Sequence, residues 1–208
     1  MLITVFEKIY LKEVKILQNY FVFSTLFNNR TYRYVYGNEN CPQIIGRSEW
    51  ADVDAKSINY LIIPIPYVII HHTVTAECDT RSTCIRFILP VCYLLFLHDR
   101  FLIGGDGNIY EGRGWNREGA HTIGYNKKSV AIGFIGNFQE KAASDKMVNA
   151  AHKLIHCGKS EGILRADVRV IGAKQVTATK SPGSQLQKQI RNWPEWVSTP
   201  NNNVIRII

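Results

Sequence analysis

Three short apolar runs constrain the fold of this chain more than any other feature of its sequence. They are YVIIHHT (67–73), SVAIGFIGNF (129–138) and DVRVIGA (167–173), and they are rich in β-branched and aromatic residues. Runs of this length and composition are typical of buried β-strands. The sequence therefore predicts at least three buried strands, the first of which ends in polar residues.

Hairpin and helical patterns lie between and after these strands. RFLIGGDGNIYEGRGW (100–115) predicts a β-hairpin with a glycine-rich turn. The stretch that follows Ser144 has apolar residues at helical spacing, with Ser144 as its N-cap and Gly158 or Gly162 as its stop. SPGSQLQKQIRNWPEW (181–196) predicts a turn and a last helix. Strands that alternate with helices predict an α/β fold, with helices packed on a central mixed β-sheet.

Length, composition and charge indicate one globular domain with extensions. The chain has 208 residues, 46% of them apolar, and a body of roughly 150 residues buries enough surface to fold without a metal. Composition divides the chain into an extension or linker (1–40), a domain (41–200) and a tail (201–208). The net charge of +8 favours polyanionic partners. Because the chain has no RNP, zinc-finger or Walker motif, we predict no nucleic-acid partner.

The cysteines and the amino terminus bear on the compartment of the protein. Five cysteines leave at least one thiol over if the others pair. Cys78 and Cys84 flank a short polar loop, which predicts either a small disulfide loop in an oxidising compartment or two unrelated thiols. Residues 1–40 contain no clean export signal, because charged residues interrupt their apolar stretch. The apolar run 20–27 is too short to span a bilayer, so no membrane tether is evident.

Histidines are the main candidates for chemistry. His71 and His72 are adjacent in a strand, so their side chains point to opposite faces and only one of them faces a given cleft. His152 and His156 are spaced like paired ligands on a zinc-binding helix, but Lys153 stands where such an enzyme has its general base. We expect those two histidines to face solvent, and we find no nucleophile elbow.

Seven motifs occur together in one order along the chain. They are VIIHHT, C-x5-C, GGDGNIYEGRGW, GAH-x2-GYN, S-x-x-IGFIGNF, TATKSPG and WPEW. This set, over about residues 44–197, resembles the peptidoglycan recognition protein family, in particular its non-catalytic insect-type receptors. The resemblance implies an N-acetylmuramoyl-L-alanine amidase-like fold, in which a groove on a mixed β-sheet holds the muramyl peptide.

Amidase members of that family hold a zinc ion at the groove floor with two histidines and one cysteine. Carried over to this chain, the first ligand is His71, but Ala173 and Ser181 replace the other two. A methyl group coordinates nothing, and a neutral hydroxyl is a far weaker zinc ligand than a thiolate. Asp99 replaces a tyrosine that lies near the zinc-bound water in the amidases. The resemblance therefore implies no catalytic residues, no zinc and a vestigial His71.

The resemblance also maps the family's groove-lining, ligand-binding residues onto this chain. Trp115 offers an apolar platform for a sugar ring or stem peptide, and Arg117 and Lys127 can pair with carboxylates. A cation that faces the extra carboxylate of meso-diaminopimelic acid discriminates by ~1–3 kcal/mol. Lys127 therefore predicts a preference for diaminopimelic-type over Lys-type peptidoglycan, unless it lies in a solvated turn. The full set is His71, Thr73, Trp115, Asn116, Arg117, His121, Tyr125, Asn126, Lys127, Ala173, Gln175, Thr179 and Ser181.

The family pattern also predicts the pairing of the cysteines. It implies one disulfide, Cys78–Cys84, beside the groove, and a second, Cys41–Cys157, between the amino-terminal segment and the helix after Ser144. Cys92 is then the cysteine without a disulfide partner in this pairing.

One segment departs from the family pattern. Residues 85–100 are almost wholly apolar, shorter than the family's segment and interrupted by Pro90, which would end or kink a helix. If the segment is genuine, we expect it to remove one wall of the groove and to expose apolar surface. If it results from a gene-model error, the natural protein has the family's normal groove.

The resemblance leaves three functions open. The leading hypothesis is a non-catalytic recognition protein or receptor ectodomain that binds bacterial peptidoglycan or muropeptide in invertebrate innate immunity, without a cofactor. The alternatives are an active zinc amidase and a decoy or regulator that partners other recognition receptors. The family resemblance implies an extracellular protein or a receptor ectodomain.

Overall fold

The computed structural model describes residues 41–50, 59–91 and 100–200, all of which belong to the structural unit Asn38–Ile208. The predicted extension 1–40, the tail 201–208, Cys92 and Asp99 lie outside the described residues. The strands are β1 (Ile44–Ile45), β2 (Ile65–His72), β3 (Phe101–Ile103), β4 (Ile109–Glu111), β5 (Ser129–Phe134) and β6 (Leu164–Gly172). The helices are α1 (Arg81–Val91), α2 (Asp145–Ser160) and α3 (Ser184–Ile190), with short 3₁₀ turns at Arg47–Glu49 and Ala173–Gln175.

The described strands form one six-stranded sheet in the order β1-β4-β3-β5-β2-β6. The β3–β4 pair is antiparallel, and the other four pairs are parallel. The predicted α/β fold with a central mixed sheet is therefore confirmed. The parallel strands β2 and β5 lie side by side in the interior of the sheet, where apolar residues are buried on both faces.

The predicted hairpin is β3 and β4, joined by the glycine-rich turn. Gly107 closes this turn by donating its backbone N–H to the Gly104 carbonyl at 2.9 Å, and its φ of 83° is one that glycine adopts without steric cost. The predicted strand 129–138 is shorter than expected, because β5 ends at Phe134. Gly136, with a φ of 145°, then takes the chain away from the sheet.

Helix α2 follows Ser144 as predicted, although the Ser144 side chain makes no capping hydrogen bond. Gly162, with a φ of 66°, follows the end of the helix. Gly158 does not stop the helix but lies inside it. A Cβ at Gly158 would come within 2.8 Å of the Trp115 ring, so this glycine permits the close packing of the helix on the core.

The histidines of α2 differ from the expectation. His156 is exposed, but His152 is only partly exposed, and its ring centroid lies 4.5 Å from that of Trp193. The prediction that both histidines face solvent is thus wrong for His152. The reason is that the chain after α3 folds back and places the buried Trp193 against this face of α2.

Two disulfides are present, with the pairings that the family resemblance implies. Cys41–Cys157 ties the segment before β1 to α2, and Cys78–Cys84 closes a short loop at the start of α1. Among the helices of the described residues, none is both long enough and apolar enough to cross a membrane.

Candidate functional site

The end of β2 places its two histidines on opposite faces of the sheet, as the strand alternation predicts. His71 lies against His121, with ring centroids 5.5 Å apart. His72 lies on the other side, near Phe138, whose backbone N–H donates to His72 Nδ1 at 3.2 Å. His71 and His72 therefore belong to different environments.

A polar cluster joins His71 to three other side chains. Nε2 of His71 lies 3.4 Å from the Thr122 hydroxyl, which lies 3.0 Å from Nδ1 of His121. Nε2 of His121 lies 3.5 Å from the hydroxyl of Ser129. We call His71, His121, Thr122 and Ser129 the polar cluster. Thr122 and Ser129 are both buried, and a motif-based prediction of the site misses them.

The turn between His121 and β5 holds this cluster in place. Asn126 accepts a hydrogen bond from the Thr122 backbone N–H through its side-chain oxygen, at 2.8 Å. Tyr125 packs edge-on against Tyr67, with centroids 5.6 Å apart, and its ring is mostly buried. Lys128 covers the Tyr125 ring at 4.3 Å, whereas Lys127 is exposed in the same turn. Lys127, one of the predicted cations, is thus exposed to solvent in the turn that contains Asn126.

Burial controls the protonation of both β2 histidines. Burial, and to a smaller degree the neighbouring His72, lowers the pKa of His71 to about 4. Burial also lowers the pKa of His72 to about 4, with a smaller contribution from the positive charge of Lys174. Both imidazoles are therefore neutral near pH 7.

The residues at the family's zinc positions do not fit a zinc ion. The Ser181 hydroxyl accepts a hydrogen bond from the His72 backbone N–H at 3.1 Å, and the Ser181 carbonyl accepts one from Lys174 N–H at 2.8 Å. Ala173 is fully buried and offers only a methyl group. Within residues 41–50, 59–91 and 100–200, no group of three histidine, cysteine or carboxylate side chains could hold a metal ion. His71 has an imidazole but no co-ligands there.

The predicted platform residue Trp115 is a core residue. Its side chain is only 1% exposed, and its ring centroid lies 4.5 Å from that of Phe101. The prediction that Trp115 forms an apolar platform for ligand is wrong, because the indole is buried in the core, where it contacts Phe101 of β3 and lies close to Gly158 of α2. Ala173, which packs with Tyr67 and Tyr125 in the core at 0% exposure, likewise does not line a groove wall.

The side-chain amide of Gln175 is engaged in hydrogen bonds within the protein. Its side-chain oxygen accepts hydrogen bonds from the Gly172 N–H at 2.8 Å and the Gln187 amide at 3.0 Å. Its side-chain nitrogen donates to the carbonyls of Val197 and Ser198, at 2.9 and 3.0 Å. Both amide protons of Gln175 are thus used within the protein, and its role in ligand binding stays a prediction.

The segment 116–118 lies beside the chain that precedes β2. The Asn116 carbonyl accepts a hydrogen bond from Leu61 N–H at 2.8 Å, and Arg117 forms an isolated antiparallel bridge with Tyr60. Arg117 lies near Glu111, and its charge opposes the rise that burial causes in the pKa of that carboxyl. Arg113 donates to the Glu118 carbonyl at 2.6 Å.

Two predicted threonines are engaged in local contacts. Thr73 accepts a hydrogen bond from Gly136 N–H at 2.9 Å through its hydroxyl, and it lies near Phe87 and Ile135. The hydroxyl of Thr179 accepts a hydrogen bond from the backbone N–H of Ser181 at 3.2 Å, and its side chain is exposed. Within the part of the chain that the structure describes, the hydrogen bonds of these two threonines do not reach the polar cluster.

The comparisons with known proteins agree on one family. The N-acetylmuramoyl-L-alanine amidase family model matches residues 63–184. The peptidoglycan-recognition protein SA of Drosophila melanogaster is 42% identical to this chain over 168 residues, which cover 77% of this chain and 83% of that protein.

Solved structures agree with the sequence comparisons. Bumblebee PGRP-SA is 78% identical, with a TM-score of 0.73, and the match covers 77% of this chain and 100% of that one. Peptidoglycan recognition protein-LE, solved in complex with tracheal cytotoxin, a monomeric diaminopimelic acid-type peptidoglycan, is 36% identical, with a TM-score of 0.70. That match covers 74% of this chain and 96% of the other.

Proposed function

This chain belongs to the peptidoglycan-recognition protein family, and on that premise we propose that it binds bacterial peptidoglycan without cleaving it. The binding site is centred on His71 and the rest of the polar cluster. The exposed Lys127 and Thr179 are the residues of the implied set most open to ligand. The protein acts in this proposal as a recognition protein of innate immunity.

The chemistry of the zinc positions carries the proposal. A hydrolytic zinc needs three protein ligands and an open position for water. Ala173 contributes a buried methyl group, and the Ser181 hydroxyl is already hydrogen-bonded to the β2 backbone. One imidazole remains, which is too few donors to hold zinc, so the residues support binding and not hydrolysis.

Binding and cleavage can be measured on the same purified protein. We expect the chain to sediment with insoluble peptidoglycan and to be released by soluble muropeptide. We expect no stoichiometric zinc by elemental analysis and no release of stem peptide. Ser181→Cys alone should still bind no zinc, because Ala173 supplies no ligand.

Each outcome points to one of the three candidate functions. Stoichiometric zinc together with cleavage of the lactyl–alanine amide would establish an amidase. Failure to sediment with peptidoglycan, in protein whose two disulfides are formed, would favour the decoy or regulator of other receptors.

A finer proposal concerns the stem peptide, for which Lys127 favours the diaminopimelic type. Its side chain is exposed in the turn beside Asn126, whereas the neighbouring Lys128 covers Tyr125. We expect calorimetry to give a severalfold to hundredfold tighter affinity for diaminopimelic-type than for Lys-type muropeptide. Lys127→Gln should remove that difference, and the matched control Lys128→Gln should retain it. Equal affinities in the unmodified protein would contradict the preference.

The compartment follows from the cysteines in this proposal. Both disulfides need an oxidising environment to form and persist, which favours an extracellular protein or a receptor ectodomain. Detection of the endogenous protein in the extracellular fluid, or on the surface of intact cells, would test this location. Exclusive recovery of the chain with free cysteines inside cells would contradict it.

A further inference from the structure

Within the described residues, the backbone of Tyr60 is paired on one side only. Tyr60 and Arg117 form an isolated antiparallel bridge, whose two hydrogen bonds, at 2.7 and 2.8 Å, are made by the residues next to them. In such a pair, the N–H and C=O groups of the central residue point away from the partner strand. No hydrogen bond from the described ranges reaches either group of Tyr60. Tyr60 therefore presents one backbone donor and one backbone acceptor at an open edge.

Apolar side chains accompany this edge. Tyr60, Ile62 and Ile63 are 64%, 89% and 54% exposed, so three of the five exposed large hydrophobic residues in the described part of the chain lie within four positions. Single exposed apolar residues are common on any protein, whereas a contiguous group is typical of an interaction site. Pro64 ends the edge, because a proline has no N–H to donate. We call Tyr60, Ile62, Ile63 and Arg117 the edge surface.

Positive charge is in excess beside the edge surface. Arg113 donates to the Glu118 carbonyl at 2.6 Å, and the Glu111 carboxyl group accepts from the Arg47 backbone N–H at 3.4 Å. Burial, and then the positive charges of Arg47 and Arg117, lower the pKa of Arg113, so the three guanidinium groups lie near one another. The carboxyl groups of Glu111 and Glu118 lie among them. Three cations and two carboxyl groups leave a net positive charge, which complements an anionic group of a partner.

We propose that the edge surface binds an extended segment of a partner protein, which adds a strand beside Tyr60 and carries apolar and carboxylate side chains. Main-chain hydrogen bonds hold such an added strand, and its alternate side chains give specificity. Arg117 lies directly opposite Tyr60 in the bridge, so the two side chains share a face. A guanidinium group on that face binds a carboxylate through two parallel hydrogen bonds. The partner is a ligand separate from peptidoglycan, and the inference does not depend on the proposed function.

A protein segment fits this surface better than a lipid layer or a second copy of the chain. An anionic membrane attracts a uniformly basic surface, whereas here the carboxyl groups of Glu111 and Glu118 lie between the cations. In a symmetric dimer the same patch faces itself, so its excess of positive charge would repel its own copy. Tyrosine and arginine are also the residue types that are enriched at the centres of protein–protein interfaces.

Fluorescence anisotropy with two short labelled peptides tests the chemistry on the full chain. One peptide alternates valine with glutamate, and the matched control alternates valine with lysine. We expect the glutamate peptide to bind about tenfold more tightly at low salt, and this difference to shrink as the salt concentration rises. In the complex with the glutamate peptide, hydrogen exchange at the Tyr60 amide should slow, because that N–H donates to the added strand.

Two substitutions separate the charged and the apolar parts of the edge surface. Arg117→Glu should reverse the preference, so that the lysine peptide binds more tightly, and Arg117→Gln should abolish it. Ile62→Ser should weaken the glutamate peptide severalfold through lost apolar contact. The matched control is Ile123→Ser, which lies outside the edge surface and is 94% exposed, and it should bind the peptide like the unmodified chain. Ile62→Ser should sediment with peptidoglycan as before.

The outcomes distinguish this inference from the proposed function. Equal affinities of the two peptides, a preference that Arg117→Glu leaves unchanged, or unchanged exchange at the Tyr60 amide would overturn it. Binding to phosphatidylglycerol vesicles or a dimer in solution, if Ile62→Ser abolishes either, would assign the surface to a membrane or to a second copy instead. Displacement of the glutamate peptide by soluble muropeptide would assign it to the peptidoglycan groove. A chain that binds the glutamate peptide as expected but does not sediment with peptidoglycan would uphold the inference and refute the proposed function.

Discussion

The Ser181 hydroxyl and the backbone N–H of His72 form a 3.1 Å hydrogen bond that joins the loop after β6 to the end of β2. The two residues are 109 positions apart in sequence. In the amidase pattern a thiolate at this position would bind metal. Here the hydroxyl stabilises the backbone, so the replacement for the metal ligand has a structural role of its own.

Ser181→Ala should destabilise the protein, because it leaves the His72 N–H without its acceptor. We expect a loss of about 1–2 kcal/mol in the free energy of unfolding, measured by urea denaturation. Ser144→Ala is the matched control, since the exposed Ser144 makes no capping hydrogen bond, and it should change the stability by less than about 0.5 kcal/mol. An equal effect of the two substitutions would contradict the structural role of Ser181.

The stability should fall as the pH drops from 6.5 towards 4. Burial lowers the pKa of His71 and His72 from 6.5 to about 4 in the folded protein. Below pH 6.5 the unfolded chain therefore takes up protons that the folded chain does not, which favours unfolding. Above that pH both states are neutral at these rings, and the two histidines no longer change the stability.

His72→Gln tests the contribution of one ring. Between pH 6.5 and 4, the unfolding free energy of this variant should fall less than that of the unmodified protein. The difference should be on the order of 1–2 kcal/mol, because partial exposure of the His72 side chain weakens the effect of burial. At neutral pH the substitution also lowers the unfolding free energy, because the Phe138 N–H loses its hydrogen bond to the His72 ring. Ser144→Ala, which removes no titratable group at an exposed position, should leave the profile parallel to that of the unmodified protein. If the profile of His72→Gln is parallel to that of the unmodified protein, His72 does not contribute to the pH dependence of stability.

The central part of the fold could be predicted from local sequence. The runs that form β2, β5 and β6 are apolar over a length typical of strands, and the glycine-rich turn between β3 and β4 has the spacing of a hairpin. The role of Gly158 could not be predicted in this way. Its low helix propensity indicates a stop, but the packing of Trp115 against its backbone outweighs that local preference.

The sequence predicted those positions of the candidate site at which the residue type alone decides the role, such as the positions of the zinc ligands. The family pattern identified His71 and the substitutions at Ala173 and Ser181. Thr122 could have been suspected because it follows His121 directly, but its contact with His71 spans 51 residues. An aromatic such as Trp115 serves equally well as a platform or as core, and only the tertiary structure distinguishes the two.

Trp115→Ala should lower the free energy of unfolding, and it should not selectively weaken ligand binding by the folded protein. The indole is 1% exposed, so its removal leaves a large cavity next to Phe101. We expect a loss of about 3–5 kcal/mol in unfolding free energy. Trp115→Phe should lose less, because it keeps part of the ring volume. Unfolding curves and peptidoglycan sedimentation of the folded fraction test this, and unchanged stability with lost binding would restore the platform interpretation.

The two disulfides should contribute unequally to stability. Cys41–Cys157 joins positions 116 residues apart, and Cys78–Cys84 joins positions only 6 apart. A cross-link that closes a longer loop removes more conformational entropy from the unfolded chain, about 5 kcal/mol for the first and about 2 kcal/mol for the second. We therefore expect Cys41→Ser/Cys157→Ala to lower the unfolding free energy more than Cys78→Ala/Cys84→Ala. Urea denaturation at one pH measures both double variants, with free thiols counted to verify that the other disulfide remains formed. Equal losses would mean that local packing around the sulfurs, and not loop closure, determines what each disulfide contributes.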